Sequence, residues 1–276
     1  MFKSLPLSAL TWLSLLLVGL TLWPTRVTSQ EKTTLPNFLP HSHAHNDYEH
    51  AHPLVDSLNF GFASIEADVW LVDGNLCVAH NRSDVQSSKR LDNLYLEPLF
   101  KLFNANGNKI FANGETLFLL VDFKSEGEAT YQALKQLLTK YRPMVNAPAG
   151  TTPAVKIIIS GDRPIETIKN DVDRCVGVDG RLSDLKSPFD ASLMPLISDN
   201  WRLHFRYQGN GEISAEERLK LKTLVQQVHQ NGAQLRFWAT PENDMLWKTL
   251  REAEVDLIGT DQREKLVAFL KSQAGT

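Results

Sequence analysis

Apolar and polar positions follow two rhythms along this chain. Short apolar runs at Asn37–His43, Ala63–Leu71, Leu117–Phe123, Val155–Ser160, Arg174–Val178, Met194–Ser198, Gln234–Trp238 and Asp256–Gly259 predict strands. Between them, "EATYQALKQLLTKY", "AEERLKLKTLVQQVHQNG" and "ENDMLWKTLREAE" place apolar residues three and four apart, the spacing of a helix with one buried face. Asn231–Gly232 is a helix stop. Eight strands alternating with helices predict an α/β fold of the TIM-type (β/α)8 class, a parallel sheet closed on itself and covered by helices. The stretch from Asn81 to Gly114 reads as a long excursion over the barrel mouth, and no linker or charge block divides the chain into further domains.

The amino terminus breaks this pattern. Lys3 precedes a run from Leu5 to Trp23 that is apolar apart from Ser8, Thr11, Ser14 and Thr21, and Val27 and Ser29 form a small-residue cleavage pair before Gln30. Residues 1–29 therefore read as a signal peptide, with an uncleaved N-terminal anchor as the rival, and residues 30–276 as the barrel. Either reading sends the protein out of the cytoplasm, to a secreted, periplasmic or cell-envelope location. The formal charge of −3 comes with no basic run, which excludes a nucleic-acid partner and requires a local positive feature for any acidic substrate. Cys77 and Cys175 either pair in an oxidising compartment or act as two separate small hydrophobes.

The chemistry concentrates at strand ends. In "FASIEADVWLV" side chains alternate, so Glu66 and Asp68 share one face while Ile65, Ala67 and Val69 share the other. Two carboxylates turned into a barrel repel each other and lose hydration unless a cation or proton sits between them, and a hard divalent ion is the simplest remedy. An edge strand with its acidic face in water, or a pair neutralised by Arg, is the bland alternative. Asp122 and Lys124 end another apolar strand, offering a third ligand and a phosphate-binding ammonium, or merely a strand-end salt bridge. His45 and His80 follow strand-like segments where catalytic loops begin and are candidates for general acid and base. "HSHAH" also matches the His-x-His opening of zinc amidohydrolases, although such sites need further histidines on later strands and His204 is the only later candidate near a strand-like run.

The ordered set of His45, "EAD" with "DG", His80 and "DFK" resembles the phosphatidylinositol phospholipase C-like phosphodiesterase superfamily, which includes glycerophosphodiester phosphodiesterases and sphingomyelinase D-type phospholipases. Within it, the stretch from Ser42 to Asn81 is most similar to the family of altered inheritance of mitochondria protein six, with thinner echoes through "LLVDFK", "FWATPEN" and "IGTDQ". The resemblance implies a barrel in which Glu66, Asp68 and Asp122 bind Mg²⁺ or Ca²⁺ and His45 and His80 form the acid/base pair. It further implies that Lys124 holds the phosphate and Trp238 lines the mouth; beside His45, Asn46 and Asp47 read as support for that residue or for the metal. The implied activity is metal-dependent cleavage of a glycerophosphodiester or (lyso)phospholipid, with membrane-surface contact. Departures from the glycerophosphodiesterase pattern, Asn81 after His80 and Asp122 in place of Glu, leave the substrate open. The absence of the usual "HRG…PENT" opening also keeps in view a non-catalytic barrel that binds a phospho-ligand.

Overall fold

The structure, a computed structural model, describes residues 35–148, 150–186 and 190–273. The expected leader at residues 1–29 lies outside them. Among the described residues nine strands form: β1 (Leu39–Ala44), β2 (Phe62–Val72), β3 (Asn75–Val78), β4 (Leu117–Phe123), β5 (Val155–Gly161), β6 (Val176–Gly180), β7 (Leu196–Asn200), β8 (Gln234–Trp238) and β9 (Leu257–Thr260). Their hydrogen-bonded order is β1-β9-β8-β7-β6-β5-β4-β2-β3, and β1 also pairs with β2, so eight parallel strands close a TIM barrel. Each of the eight predicted runs supplies a barrel strand, with ends displaced by about two residues at β1, β6 and β7.

The ninth strand is a local addition. Asp73 and Gly74 both have positive φ (48° and 76°), and this tight turn folds β3 back antiparallel on β2. Its register sets Val69 opposite Val78 and so brings the following residue pair, Ala79–His80, back beside the carboxyl end of β2. Here "DG" between two apolar runs was the available signal.

Two apolar layers follow from strand alternation. Ile65, Ala67 and Val69 on β2, with Leu119 and Val121 on β4, face the surrounding helices in the main core. Ala63, Leu120, Ile158, Leu196 and Leu257 form a smaller interior cluster. The three quoted amphipathic segments form helices Gly127–Leu138, Ala215–Gln230 and Asp244–Glu252, capped by the Glu126, Ser214 and Asn243 side chains. Between β6 and β7 the described crossover is only a 3-10 segment, Leu182–Lys186, so this unit departs from the expected strand-and-helix repeat. Within the Asn81–Gly114 excursion, Leu91, Tyr95, Leu96, Leu99 and Phe103 are buried in the main core, because their spacing gives a helix an apolar face to bury, while Asp84, Lys89 and Leu94 line a cavity beside His80. Cys77 is buried and Cys175 partly buried, and both are free thiols.

The helix wall contains one well-defined pH-sensitive joint. Asp171, at the end of helix Ile165–Asn170, accepts hydrogen bonds from Tyr131 (2.7 Å) and Lys135 (2.8 Å). Burial alone would raise its pKa, but the Lys135 and Tyr131 bonds outweigh it and lower it to about 2. Because the folded value lies below the unfolded one, its stabilisation is present above about pH 4 and lost as pH falls toward 2. The contribution is at most about 2 kcal/mol, and less where water screens the lysine. Urea titrations across this range should show the loss in wild type and a flatter profile in Asp171→Asn; identical profiles would exclude this joint as the source.

Candidate active site

The carboxyl ends of β2 and β4 bring three acids together. Asp68 lies in register with Asp122 across the sheet, and Glu66 sits one inward position deeper. One oxygen from each of Glu66, Asp68 and Asp122 lies within 4.8 Å of the others. Glu66 is buried and charged: its Oε2 accepts from Arg236 Nη2 at 3.0 Å and contacts His43 Nε2 at 2.9 Å. Burial would raise its pKa, but the Arg236 charge and the His43 bond hold it well below the usual carboxylate range. Asp68 and Asp122 move the other way. Burial raises both, with the Glu66 charge adding to the effect, and Asp122 reaches about 6 despite Lys124 beside it.

Lys124 Nζ bridges these two acids, 3.1 Å from Asp68 and 3.2 Å from Asp122. One lysine does not satisfy the cluster. Asp68 Oδ1 is buried with no hydrogen-bond partner among the described residues, an expensive state for a carboxylate oxygen and one that a hard cation relieves. The donor set, all carboxylate oxygen, is the kind Mg²⁺ and Ca²⁺ prefer. Gly161 keeps this corner open: with φ at +70°, a Cβ there would come within 2.3 Å of Asp122 Oδ1.

The two histidines are held in parallel ways. His45 Nδ1 lies 2.7 Å from Asp261 Oδ1, and His80 Nδ1 lies 3.2 Å from Asp68 Oδ2. Each ring is anchored through Nδ1, leaving Nε2 as the nitrogen available for proton transfer. Burial would lower the His45 pKa, but the Asp261 bond and the Glu66 charge reverse this and raise it. Tyr48 joins the two sides: its hydroxyl donates to Asp68 Oδ2 at 2.7 Å and lies 2.9 Å from Asn46 Oδ1 and 3.2 Å from His80 Nδ1. His45 lines a cavity of about 270 Å³ with Glu66, Asp122, Lys124 and Trp238, whereas His80 lines a neighbouring one of about 280 Å³ with Tyr48.

Asn46 sits in left-handed backbone (φ 48°), which asparagine tolerates, and its amide lies 3.4 Å from Asp261. Asp47 does not reach the mouth. It is fully buried and bound by the Leu54 amide, Ser57, Tyr95 and Arg263, so it anchors the loop rather than the site itself. His43 also leaves the candidate zinc set. It is buried between Ser64 and Glu66 with both ring nitrogens engaged, and burial together with the Arg236 charge lowers its pKa to about 4.

Sequence reasoning missed Arg236, Tyr48 and the group around Asp179. Asp179 is buried and accepts from Ser160, Ser198 and Arg181 on the wall facing His45. The signal was parity: Arg236 and Asp179 interrupt short apolar strands at inward positions, and a buried charge in such a place needs a partner.

The family model for the AIM6-like phosphodiesterase domain matches residues 34–179, which include every one of these groups up to Asp179. The altered inheritance of mitochondria protein 6 homolog of Arthroderma benhamiae is 26% identical over 79% of this chain and 80% of its own length. The Kluyveromyces lactis protein of the same name is 36% identical over 41% of this chain and 32% of its own. A crystal structure of a glycerophosphodiester phosphodiesterase from Parabacteroides distasonis superposes with a TM-score of 0.50 at 16% identity, over 86% of this chain and 99% of that one, and shares the fold. This chain belongs to the AIM6-like phosphodiesterase domain family.

Proposed function

We propose that the protein is an exported, divalent-cation-dependent phosphoric diester hydrolase acting on a glycerophosphodiester or a (lyso)phospholipid head group. The observation that carries this reading is the trio Glu66, Asp68 and Asp122, with its unpartnered Asp68 oxygen beside Lys124. Bound Mg²⁺ or Ca²⁺ would supply charge neutralisation at the phosphate. Lys124, at the rim of the same cluster, offers an ammonium to a phosphate oxygen. Arg236 and His43 keep Glu66 ionised and fixed in direction. His45 and His80 are assigned to moving protons, one from the attacking hydroxyl and one to the leaving alkoxide, while Asp261 and Tyr48 orient their rings. The apolar leader supports export, and the mouth-lining Trp238, 38% exposed, supports contact with a lipid surface. Among the described residues no helix is long and apolar enough to cross a membrane.

Turnover of glycerophosphocholine and of bis(p-nitrophenyl) phosphate tests this directly. EDTA should abolish hydrolysis and Mg²⁺ or Ca²⁺ should restore it, whereas full activity in EDTA would remove the cation from the reaction. A second reading, a barrel that binds a phospho-ligand without turnover, is favoured by one observation: the two histidines face separate cavities. Cation binding by calorimetry with no hydrolysis of either diester would select it.

A further inference from the structure

At the opposite end of the barrel, the amino ends of the strands surround a second cavity of about 410 Å³. It is larger than the roughly 270 Å³ cavity at the carboxylates and falls in the ~300–1,000 Å³ range of small-ligand sites. The interior cluster of Ala63, Leu120, Ile158, Leu196 and Leu257 lies between the two ends, so this cavity is separate from the candidate active site. Phe38, Phe118, Pro153 and Pro195 give it apolar walls.

Lys156 projects between these apolar walls, in a lining that also includes His41, Thr116 and Thr152. Lys156 on β5 lies in register with Phe118 on β4, on the inward face, and its ammonium stands 5.9 Å from the centre of the Phe118 ring. Lys156 is partly buried, and among the described residues it has no ion pair and no hydrogen bond from its side chain. Neither acid on the cavity lining neutralises it. Asp256 is engaged by His229 and the Leu235 amide, both at 2.8 Å, and Glu115 is exposed to water. Burial, helped by the Arg174 charge, lowers the Lys156 pKa, the cost expected of a cation held without a counter-ion. Gln234 adds an amide with no side-chain hydrogen bond among the described residues.

We propose that this end of the barrel is a second binding site, for a small amphipathic anion whose apolar body fills the cavity and whose carboxylate or phosphate head pairs with Lys156. An apolar body alone would leave the ammonium unpaired, and a bare inorganic anion would leave the aromatic and proline walls in water; a ligand with both parts satisfies each.

The test uses 1-anilinonaphthalene-8-sulfonate as probe on the full chain. Wild type should bind it saturably, and Lys156→Met should weaken binding about tenfold or more, the size of one lost ion pair in a partly dry site. Lys124→Met, at the other mouth, should leave it unchanged. On the wild-type protein, dodecanoate and dodecyl phosphate should displace the probe, the stronger competitor identifying the head group, while inorganic phosphate at equal concentration should not. The proposal is overturned if wild type shows no saturable binding, if Lys156→Met binds as wild type does, if Lys124→Met is the variant that weakens it, or if neither amphiphile displaces the probe. Because displacement is read on wild type, the proposal stays testable even if a variant fails to fold.

Discussion

His80→Ala and His45→Ala should each lower diester turnover by about 10²- to 10⁴-fold, the range for loss of a positioned general acid or base. The expectation rests on how the rings are held. Both are anchored through Nδ1, one to Asp261 and one beside Asp68, so each presents Nε2 without having to find its orientation first. Asp261→Asn, which keeps a side chain of the same shape beside His45, should cost less than His45→Ala. It should also bring the His45 pKa down, since the Asp261 bond is the main influence raising it. The measurement is kcat/KM with glycerophosphocholine and bis(p-nitrophenyl) phosphate, with circular dichroism confirming that each variant is folded. Wild-type turnover in both alanine variants would remove the histidines from the chemistry.

Arg263→Met should destabilise the protein by about 3–5 kcal/mol, the cost of leaving a buried charge without its partner. The stranded group would be Asp47. Its carboxylate is fully buried and its Oδ1 accepts from Arg263 Nη1 at 2.9 Å, with Arg263 itself only 3% exposed. Ser57, Tyr95 and the Leu54 amide complete its hydrogen bonds but carry no formal charge. Asp47→Ala alone should be comparably costly, because among the described residues it leaves Arg263 with the uncharged Ser57 hydroxyl and one carboxylate, Asp56, a longer and partly exposed partner at 3.3 Å. The double variant should recover part of the loss, since neither charge is then left alone. Urea unfolding reads all three, and single variants within about 0.5 kcal/mol of wild type would show the pair to be dispensable. This network ties the loop bearing His45 and Asn46 to the last helix, Arg263–Gln273, so its loss should also loosen the candidate site.

The carboxylate trio was legible because strands have a period of two. Glu66 and Asp68 had to share a face, and in a closed parallel barrel that face is the interior. Register then did the rest by placing Asp122 beside Asp68, a pairing that two separate apolar runs, about 50 residues apart, can only suggest. Asp47 went astray for the opposite reason. It lies beside Asn46 in a loop, where no periodicity assigns a direction, and a single left-handed residue at Asn46 turns the chain so that the two neighbours face different partners. Tyr48 was hidden in the same way, visible in "HNDYEH" but without a reason to point at Asp68.

By itself the sequence determined the class of fold and which acids face the barrel interior, because both rest on local alternation: eight apolar runs, their helices, and acids at the inward positions of two of them. Only the tertiary structure decided which charge neutralises which. Arg236 meets Glu66 across 170 residues, Arg263 meets Asp47 across 216, and Lys156 meets no acid among the described residues. Those outcomes depend on barrel closure and on the paths of the loops. A Coulombic contact is set by a few ångströms in space, a distance that no spacing along the chain encodes.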